Sequence, residues 1–200
     1  MAISKIFIES IAVKESLLLG NELNNLEEMG KVIAQAIKDG KKLMLCGNGG
    51  SAADAQHLAA EMLVRLRPDY NREGIPAISL AQDTSTITAC GNDFGYDCLY
   101  ERMVNTLGRK GDIFIGITTS GKSKNIILAM KAAKKLGITV FGLLGSGGGP
   151  ANSYCDLSFI VPSNDTGRIQ ESHITAGHAL MENIEDRLIA DGVIHLKKKI

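Results

Sequence analysis

The sequence predicts an α/β fold, a three-layer sandwich in which a central parallel sheet of about five strands is flanked by helices and preceded by a helical extension. Two observations carry this prediction. Short apolar runs alternate with longer segments of helical period, which is typical of parallel sheets with helices on both faces. The apolar runs show little polar alternation, as expected of strands that are buried on both sides.

Two helices are predicted before the first strand. Residues 3–19 place apolar side chains on one face at helical spacing, which indicates an amphipathic helix. A second helix is expected from Leu23 to Lys38, where Asp39-Gly40 ends it. We expect this N-terminal segment, residues 1–40, to serve in oligomer packing, because the apolar face of the first helix needs a surface to cover it.

The rest of the chain alternates between the two kinds of element. The predicted strands are the apolar runs 42–46, 75–80, 112–117, 139–144 and 157–161. The predicted helices are 51–66 with Ser51 as its N-cap, two pieces at 84–89 and 96–107, then 123–136, and a long final helix at 168–190. The glycine-rich patch 145–149 is expected to form a turn or mobile loop. Because no linker or repeat divides the chain, residues 1–200 are predicted to form one domain.

Composition argues against several classes of partner. The 22 basic and 22 acidic side chains balance, so we expect no nucleic-acid partner and no membrane surface, and the run Lys197-Lys198-Lys199 is interpreted as a solvated tail. No segment resembles a signal peptide or approaches the roughly 20 apolar residues of a membrane span. The four cysteines lack metal-finger spacing, so we expect reduced thiols in a cytoplasmic protein.

Two turns rich in glycine and hydroxyl side chains follow predicted strands and open predicted helices. They are residues 47–51 (GNGGS) and 118–123 (TTSGKS). In folds of this class, ligands bind at the C-terminal ends of the strands, over helix N-termini. The second turn completes the stretch GITTSGKS, residues 116–123, which literally matches the phosphate-binding loop of nucleotide triphosphatases.

The nucleotide interpretation makes a demand that the sequence does not meet. A magnesium site of that type needs an aspartate at the end of a later strand, whereas the later predicted strands run into Gly145 and Pro162. The same turn also suits a monophosphate on a sugar, because a helix N-terminus attracts anions and hydroxyl groups donate hydrogen bonds. The hydroxyl donors are Thr118, Thr119, Ser120 and Ser123. The alternative is a turn that only caps its helix.

Four polar residues on two predicted helices are candidates for chemistry. His57 and Glu61 are spaced i, i+4 on one helix face, a spacing found in metal sites, in acid–base pairs and in ordinary surface pairs. Gln170 and His178 lie on the last helix, about 80° apart around its axis and roughly 12 Å apart along it. They meet at one point only if both side chains lean toward it, so a buried structural histidine is the alternative.

Four stretches together resemble the sedoheptulose 7-phosphate isomerase (phosphoheptose isomerase) family of the sugar-isomerase (SIS) fold. They are GNGGSAADAQH at 47–57, GNDFG at 91–95, TSGxS at 119–123 and RIQExH at 168–173. The resemblance covers nearly the whole chain. It implies a SIS-type, flavodoxin-like fold and a homotetramer whose active sites lie at subunit interfaces. The implied reaction is an aldose–ketose isomerisation of a sugar phosphate through an enediol, at the start of nucleotide-activated heptose biosynthesis.

The resemblance also implies the site residues. One zinc ion per active site would be held by His57, Glu61, Gln170 and His178, and Glu61 and His178 would carry the proton transfers. The implied substrate contacts are Asn48, Gly49, Gly50, Ser51, Arg65, Asn92, Asp93, Thr118, Thr119, Ser120, Ser123 and Gln170. Two positions depart from the family pattern. Gly167 stands where some members have an aspartate, and Thr118-Thr119 stands where a Ser-Thr pair is common.

Two non-catalytic proteins of the same fold are the competing interpretations. A related SIS protein binds the replication initiator, and it lacks the residues that match Glu61 and His178 here. A sugar-phosphate-sensing domain needs no acid–base pair and is usually fused to a DNA-binding module. Because this sequence keeps both residues of the pair, we favour the enzyme.

Overall fold

A computed structural model describes residues 2–80 and 83–197 of the chain. The helices are α1 (Ile3–Leu18), α2 (Glu22–Lys38), α3 (Gly50–Leu63), α4 (Thr84–Asp93), α5 (Leu99–Leu107), α6 (Lys124–Lys135) and α7 (Thr166–Ala190). The strands are β1 (Leu43–Gly47), β2 (Ala77–Ser79), β3 (Ile113–Thr118), β4 (Thr139–Leu144) and β5 (Leu157–Ile160). Short 3₁₀ helices cover Tyr96–Cys98 and Gly149–Tyr154.

The five strands form one parallel sheet in the order β2-β1-β3-β4-β5, which confirms the predicted fold class. The chain passes from β1 to β2 on one side and then returns to place β3 on the other side of β1. The C-terminal ends of β1 and β3 therefore flank the crevice where the direction of winding changes, with Gly47 beside Ile117. In open α/β sheets this crevice is the usual ligand site.

Each face of the sheet carries its own apolar core. Along β1, Leu43 and Leu45 point into the core shared with α2, α3 and α7, whereas Met44 and Cys46 point into the core shared with α5 and α6. This alternation is the two-residue period of a strand. Because both faces are covered, every residue of β1 is buried, which explains why the sequence shows no polar alternation there.

The predicted boundaries of the helices and strands agree with the structure to within a few residues, but the prediction of Ser51 as the N-cap of α3 was wrong. Gly49 occupies that position with φ of 56°, α3 begins at Gly50, and Ser51 lies inside the first turn with its amide donating to the Asn48 carbonyl at 3.1 Å. The chain enters the helix through a left-handed conformation that favours glycine, so the serine falls after the cap.

Three predictions made from composition concern the C-terminal lysines, the cysteines and membrane-spanning helices. Lys197 pairs with Glu73 at 3.2 Å, whereas the predicted tail residues Lys198 and Lys199 lie outside the described residues. The four cysteines, all of them within the described ranges, form no disulfide. Of the helices in residues 2–80 and 83–197, none combines the length and the apolar character that a membrane crossing requires.

Candidate active site

His57, Glu61 and His178 meet at one point between α3 and α7. His57 Nε2 lies 2.7 Å from His178 Nε2 and 3.4 Å from Glu61 Oε1. One potential ligand atom from each of the three side chains lies within 4.8 Å of the others. The two imidazole rings meet edge to face, with centroids 5.0 Å apart. The predicted i, i+4 pair and the distant histidine therefore form one cluster.

A glycine on α7 lets the two helices approach closely enough for this cluster to form. A Cβ atom on Gly177 would lie 2.6 Å from Leu58 Cδ1, closer than side chains pack. Leu58 follows His57 on α3, and Gly177 precedes His178 on α7. The bare backbone at Gly177 therefore brings each histidine within reach of the other.

The cluster has the donor chemistry of a divalent transition-metal site. Two imidazoles and one carboxylate are ligands that zinc accepts, at distances of about 2.0–2.2 Å. Donor atoms around one such ion lie up to about 4 Å apart, so the three side chains would need to move by less than about 1 Å. The three residues therefore fit the ion that the sequence resemblance implies.

Gln170 lies over the N-terminus of α3, the helix that carries His57 and Glu61. A Cβ atom on Gly50 would lie 2.5 Å from Gln170 Nε2, so the Gln170 carboxamide packs directly on this glycine. α3 is the helix that carries His57 and Glu61, and α7 carries Gln170 two turns before His178. The first glycine-rich turn is thus shaped around a side chain of the last helix.

Sequence reasoning missed Asp54, which lies one turn before His57 on α3. Burial raises the pKa of the Asp54 carboxyl group, and the nearby His57 and His178 act in the opposite direction. Its Oδ2 atom is buried and accepts no hydrogen bond within the described parts of the chain. The i, i+3 spacing between Asp54 and His57 was the signal that could have found it.

The second glycine-rich turn presents hydroxyl groups at the end of β3. Thr118 Oγ1 lies 3.1 Å from Ser123 Oγ, and the Lys122 amide donates to Ser120 Oγ at 3.2 Å. Lys122 itself is exposed.

The glycine-rich patch 145–149, which was expected to form a turn or mobile loop, packs behind this second turn. A Cβ atom on Gly121, whose φ is 62°, would lie 2.0 Å from the Gly148 carbonyl oxygen. Glycine is therefore required at position 121.

An amide network links the two turns, and sequence reasoning missed it. Asn48, from the first turn, exchanges two hydrogen bonds of 2.9 Å with Asn125 at the start of α6. The Tyr96 hydroxyl donates to Asn48 Oδ1 at 2.8 Å. Nothing in the sequence pattern pairs these three residues, because their contact depends on β1 and β3 being neighbours.

Three of the implied substrate contacts are exposed at or just after the ends of helices. Arg65 follows the end of α3, and Asn92 and Asp93 end α4; all three side chains are exposed. Asn92 Nδ2 donates to Asp93 Oδ1 at 2.7 Å. At the departure from the family pattern, Gly167 supplies no carboxylate, and Asp165 caps α7 by accepting from the Arg168 amide.

Comparison with known protein families places the chain in a family whose fold agrees with the structure. The family model described as SIS domain matches residues 7–145, more than half of the chain. The protein is therefore a SIS-domain protein.

Relatives define the family more narrowly. A phosphoheptose isomerase from Clostridium acetobutylicum is 48% identical over 185 residues, which are 92% of this chain and 93% of the relative. The solved structure of a phosphoheptose isomerase from Neisseria gonorrhoeae superposes with a TM-score of 0.86; it is 38% identical, and the match covers 92% of this chain and 97% of that one. The structure of a phosphoheptose isomerase from Francisella tularensis superposes with a TM-score of 0.87; it is 33% identical, and the match covers 92% of this chain and 96% of that one. The chain belongs to the phosphoheptose isomerase family and is a sugar phosphate isomerase, not a non-catalytic SIS protein.

Proposed function

We propose that the protein interconverts sedoheptulose 7-phosphate and D-glycero-D-manno-heptose 7-phosphate, the first step of nucleotide-activated heptose biosynthesis, in the cytoplasm. The observation that carries this proposal is the meeting of His57, Glu61 and His178 between α3 and α7, together with the two hydroxyl-rich turns that open α3 and α6. The first feature suits proton transfer at a sugar carbonyl, and the second suits its phosphate.

The reaction moves one proton between C1 and C2 of the sugar through an enediol, so it needs a base for carbon and a proton carrier for oxygen. We assign the first role to Glu61, whose side chain is 17% exposed and so partly shielded from water. His178 is the proton carrier, because a single imidazole nitrogen can accept a proton and give it back. Both groups approach the same point, one from each helix.

The same side chains would hold a zinc ion, together with Gln170. When bound, zinc polarises a carbonyl oxygen and stabilises the negative charge that develops on it. Glu61 has two carboxylate oxygens, so binding a metal with one leaves the other for the substrate proton. Asp54 lies one turn earlier on α3, close enough to His57 and His178 for its carboxyl group to interact with both.

The phosphate group would bind where the two turns open helices α3 and α6. Ser51, Thr119, Ser120 and Ser123 offer hydroxyl groups there, and the N-termini of α3 and α6 add a partial positive charge. Holding the remote end of the sugar orients C1 and C2 at the cluster, which converts binding energy into rate.

We further propose that the working enzyme is a homotetramer with active sites at subunit interfaces. Two observations support this. α1 exposes apolar side chains along much of its length, and Arg65, Asn92 and Asp93 point to solvent in the single chain. A neighbouring subunit would cover the first surface and would bring the second group next to substrate.

Glu61→Gln tests the proposed chemistry. The amide cannot accept the C–H proton, so turnover of sedoheptulose 7-phosphate should fall by about 10²–10⁴-fold. Product is measured as aldoheptose phosphate, with and without a chelator and with zinc added back. The control is Glu27→Gln, an exposed position on α2. Unchanged turnover in Glu61→Gln would contradict the role of Glu61, and full activity in chelator would contradict the metal.

A further inference from the structure

The amide pair between Asn48 and Asn125 joins a partly exposed asparagine to a buried one. Asn125 is only 3% exposed, although it lies at the second residue of α6. Asn48 Nδ2 donates to Asn125 Oδ1 at 2.9 Å, and Asn125 Nδ2 donates back to Asn48 Oδ1 at 2.9 Å. This pair ties the turn after β1 to the helix after β3, across the crevice where the two phosphate turns meet.

One backbone bond determines how both amides are oriented. Asn125 Oδ1 accepts the Ile126 amide at 3.0 Å, and because a backbone N–H can only donate, the facing atom of Asn125 is its oxygen. The reciprocal pairing then places Asn48 Oδ1 opposite Asn125 Nδ2. The Tyr96 hydroxyl, which donates to that same Oδ1 at 2.8 Å, holds Asn48 from the other side.

These hydrogen bonds leave one N–H group of the Asn48 carboxamide available for a ligand. Its Oδ1 accepts from Tyr96 and from Asn125, and its Nδ2 uses one of two N–H groups on Asn125. The second N–H is not used by these bonds. An asparagine without such partners rotates about its terminal bond and presents nitrogen or oxygen in turn. Here only a donor can face a ligand at the first turn.

We propose that Asn125 is a positioning residue: it fixes the Asn48 carboxamide so that the remaining N–H is presented to the sugar phosphate, with the Tyr96 hydroxyl as the second point of support. The proposal rests on the proposed contact between Asn48 and substrate. Its physical benefit is pre-organisation, since a donor already aimed at an anionic or hydroxyl-rich ligand needs no reordering when the ligand binds.

A double-mutant cycle between Asn125→Ala and Asn48→Ala tests the proposal with sedoheptulose 7-phosphate as substrate. Loss of an oriented donor should raise KM about tenfold in each single variant and leave kcat within about twofold. If Asn125 acts through Asn48, then Asn125→Ala should raise KM no further once Asn48 is already alanine. The matched control is Asn105→Ala, an exposed asparagine on α5, which should leave KM unchanged.

Two further variants cover the risk that removing a buried amide unfolds the chain. Asn125→Asp keeps the shape and the acceptor for Ile126 but cannot donate to Asn48, so it should raise KM as Asn125→Ala does. Tyr96→Phe removes one hydroxyl from a residue that is 49% exposed, and it should raise KM about threefold without altering the thermal midpoint.

The outcomes separate this proposal from the one on which it rests. An Asn48→Ala enzyme with unchanged KM would remove the proposed substrate contact, and the positioning role with it. A raised KM in Asn48→Ala together with an unchanged KM in Asn125→Asp or Tyr96→Phe would overturn the role of that partner alone. An effect of Asn125→Ala that persists at full size in the Asn48→Ala background would show that Asn125 supports the fold rather than Asn48.

Discussion

Two histidines five residues apart on α7 have opposite environments. His178 reaches His57 on α3, whereas His173 is fully buried with its Nε2 3.0 Å from the Leu144 carbonyl oxygen. Burial lowers the pKa of His173 to about 4, although the bond to Leu144 acts in the opposite direction. His173 is therefore a neutral core residue that anchors α7 to the end of β4, and its presence in the family-like motif reflects packing.

The buried neutral histidine makes stability depend on pH. Between its ordinary pKa of 6.5 and its folded pKa of about 4, the unfolded chain binds the proton more readily than the folded chain. The free energy of unfolding should therefore fall as pH drops through this window, by at most about 1.4 kcal/mol per pH unit from this residue. Urea unfolding at pH 7, 6 and 5 measures the slope.

His173→Gln keeps a donor for the Leu144 carbonyl but does not titrate, so its unfolding free energy should show a shallower slope. His195→Gln, a change near the exposed end of the described chain, is the matched control and should keep the wild-type slope. A slope in His173→Gln equal to that of the wild type would refute the assignment.

At the scale of elements, a buried ion pair holds together the two helices that build the site. Arg72 donates from Nη2 to the Glu61 carbonyl at 2.9 Å and from Nη1 to the Met62 carbonyl at 3.0 Å, so it satisfies the C-terminal end of α3. Its Nε contacts Glu185 on α7, and both side chains are 1% exposed. Glu185 lies two turns after His178, so the pair sets the distance between α3 and α7 near the cluster.

Arg72→Ala should lower the free energy of unfolding by about 3–5 kcal/mol, because it leaves Glu185 buried with one partner fewer and removes a donor from the Glu61 and Met62 carbonyls. Chemical denaturation followed by circular dichroism measures this. Lys134→Ala, which breaks a half-exposed pair with Asp156, should cost under about 1 kcal/mol. Equal losses in the two variants would mean that the buried pair adds nothing beyond a surface pair.

For the whole molecule, the notable feature is α1, a helix whose apolar side chains the single chain leaves largely exposed. Phe7 is 66% exposed and Ile11 is 55% exposed, and Leu17 is the buried residue of this helix. Apolar side chains clustered on one helix mark an interaction surface in soluble proteins. The proposed tetramer gives this surface a second copy of the chain as its partner.

Phe7→Asp combined with Ile11→Asp should therefore reduce the mass of the particle, because burying two carboxylates in an apolar interface is costly. Light scattering after size exclusion measures the mass, and the wild type should run as four chains. Lys110→Asp, an exposed change outside the N-terminal helices, controls for added negative surface charge. A double variant that keeps the wild-type mass would contradict this interface; one that loses mass but keeps full activity would contradict active sites shared between subunits.

The hydrophobic periodicity of the sequence by itself determined the positions of most helices and strands. Apolar runs of strand length and segments of helical period placed all five strands and the main helices to within a few residues, because these periods follow from backbone geometry alone. The i, i+4 spacing put His57 and Glu61 on one face, and glycine and hydroxyl residues marked both turns. Ser51 was misplaced as a cap because the left-handed conformation of Gly49 is not encoded in the helical period.

Only the tertiary structure decided which distant residues meet. The sheet order makes β1 and β3 neighbours and so brings Asn48 to Asn125, a contact across 77 positions in the chain. The close approach at Gly177 brings His178 to His57 across 121 positions, while His173 on the same helix turns into the core. Sequence periodicity reports which face of an element a residue occupies, but a site formed by several elements depends on how those faces pack against one another.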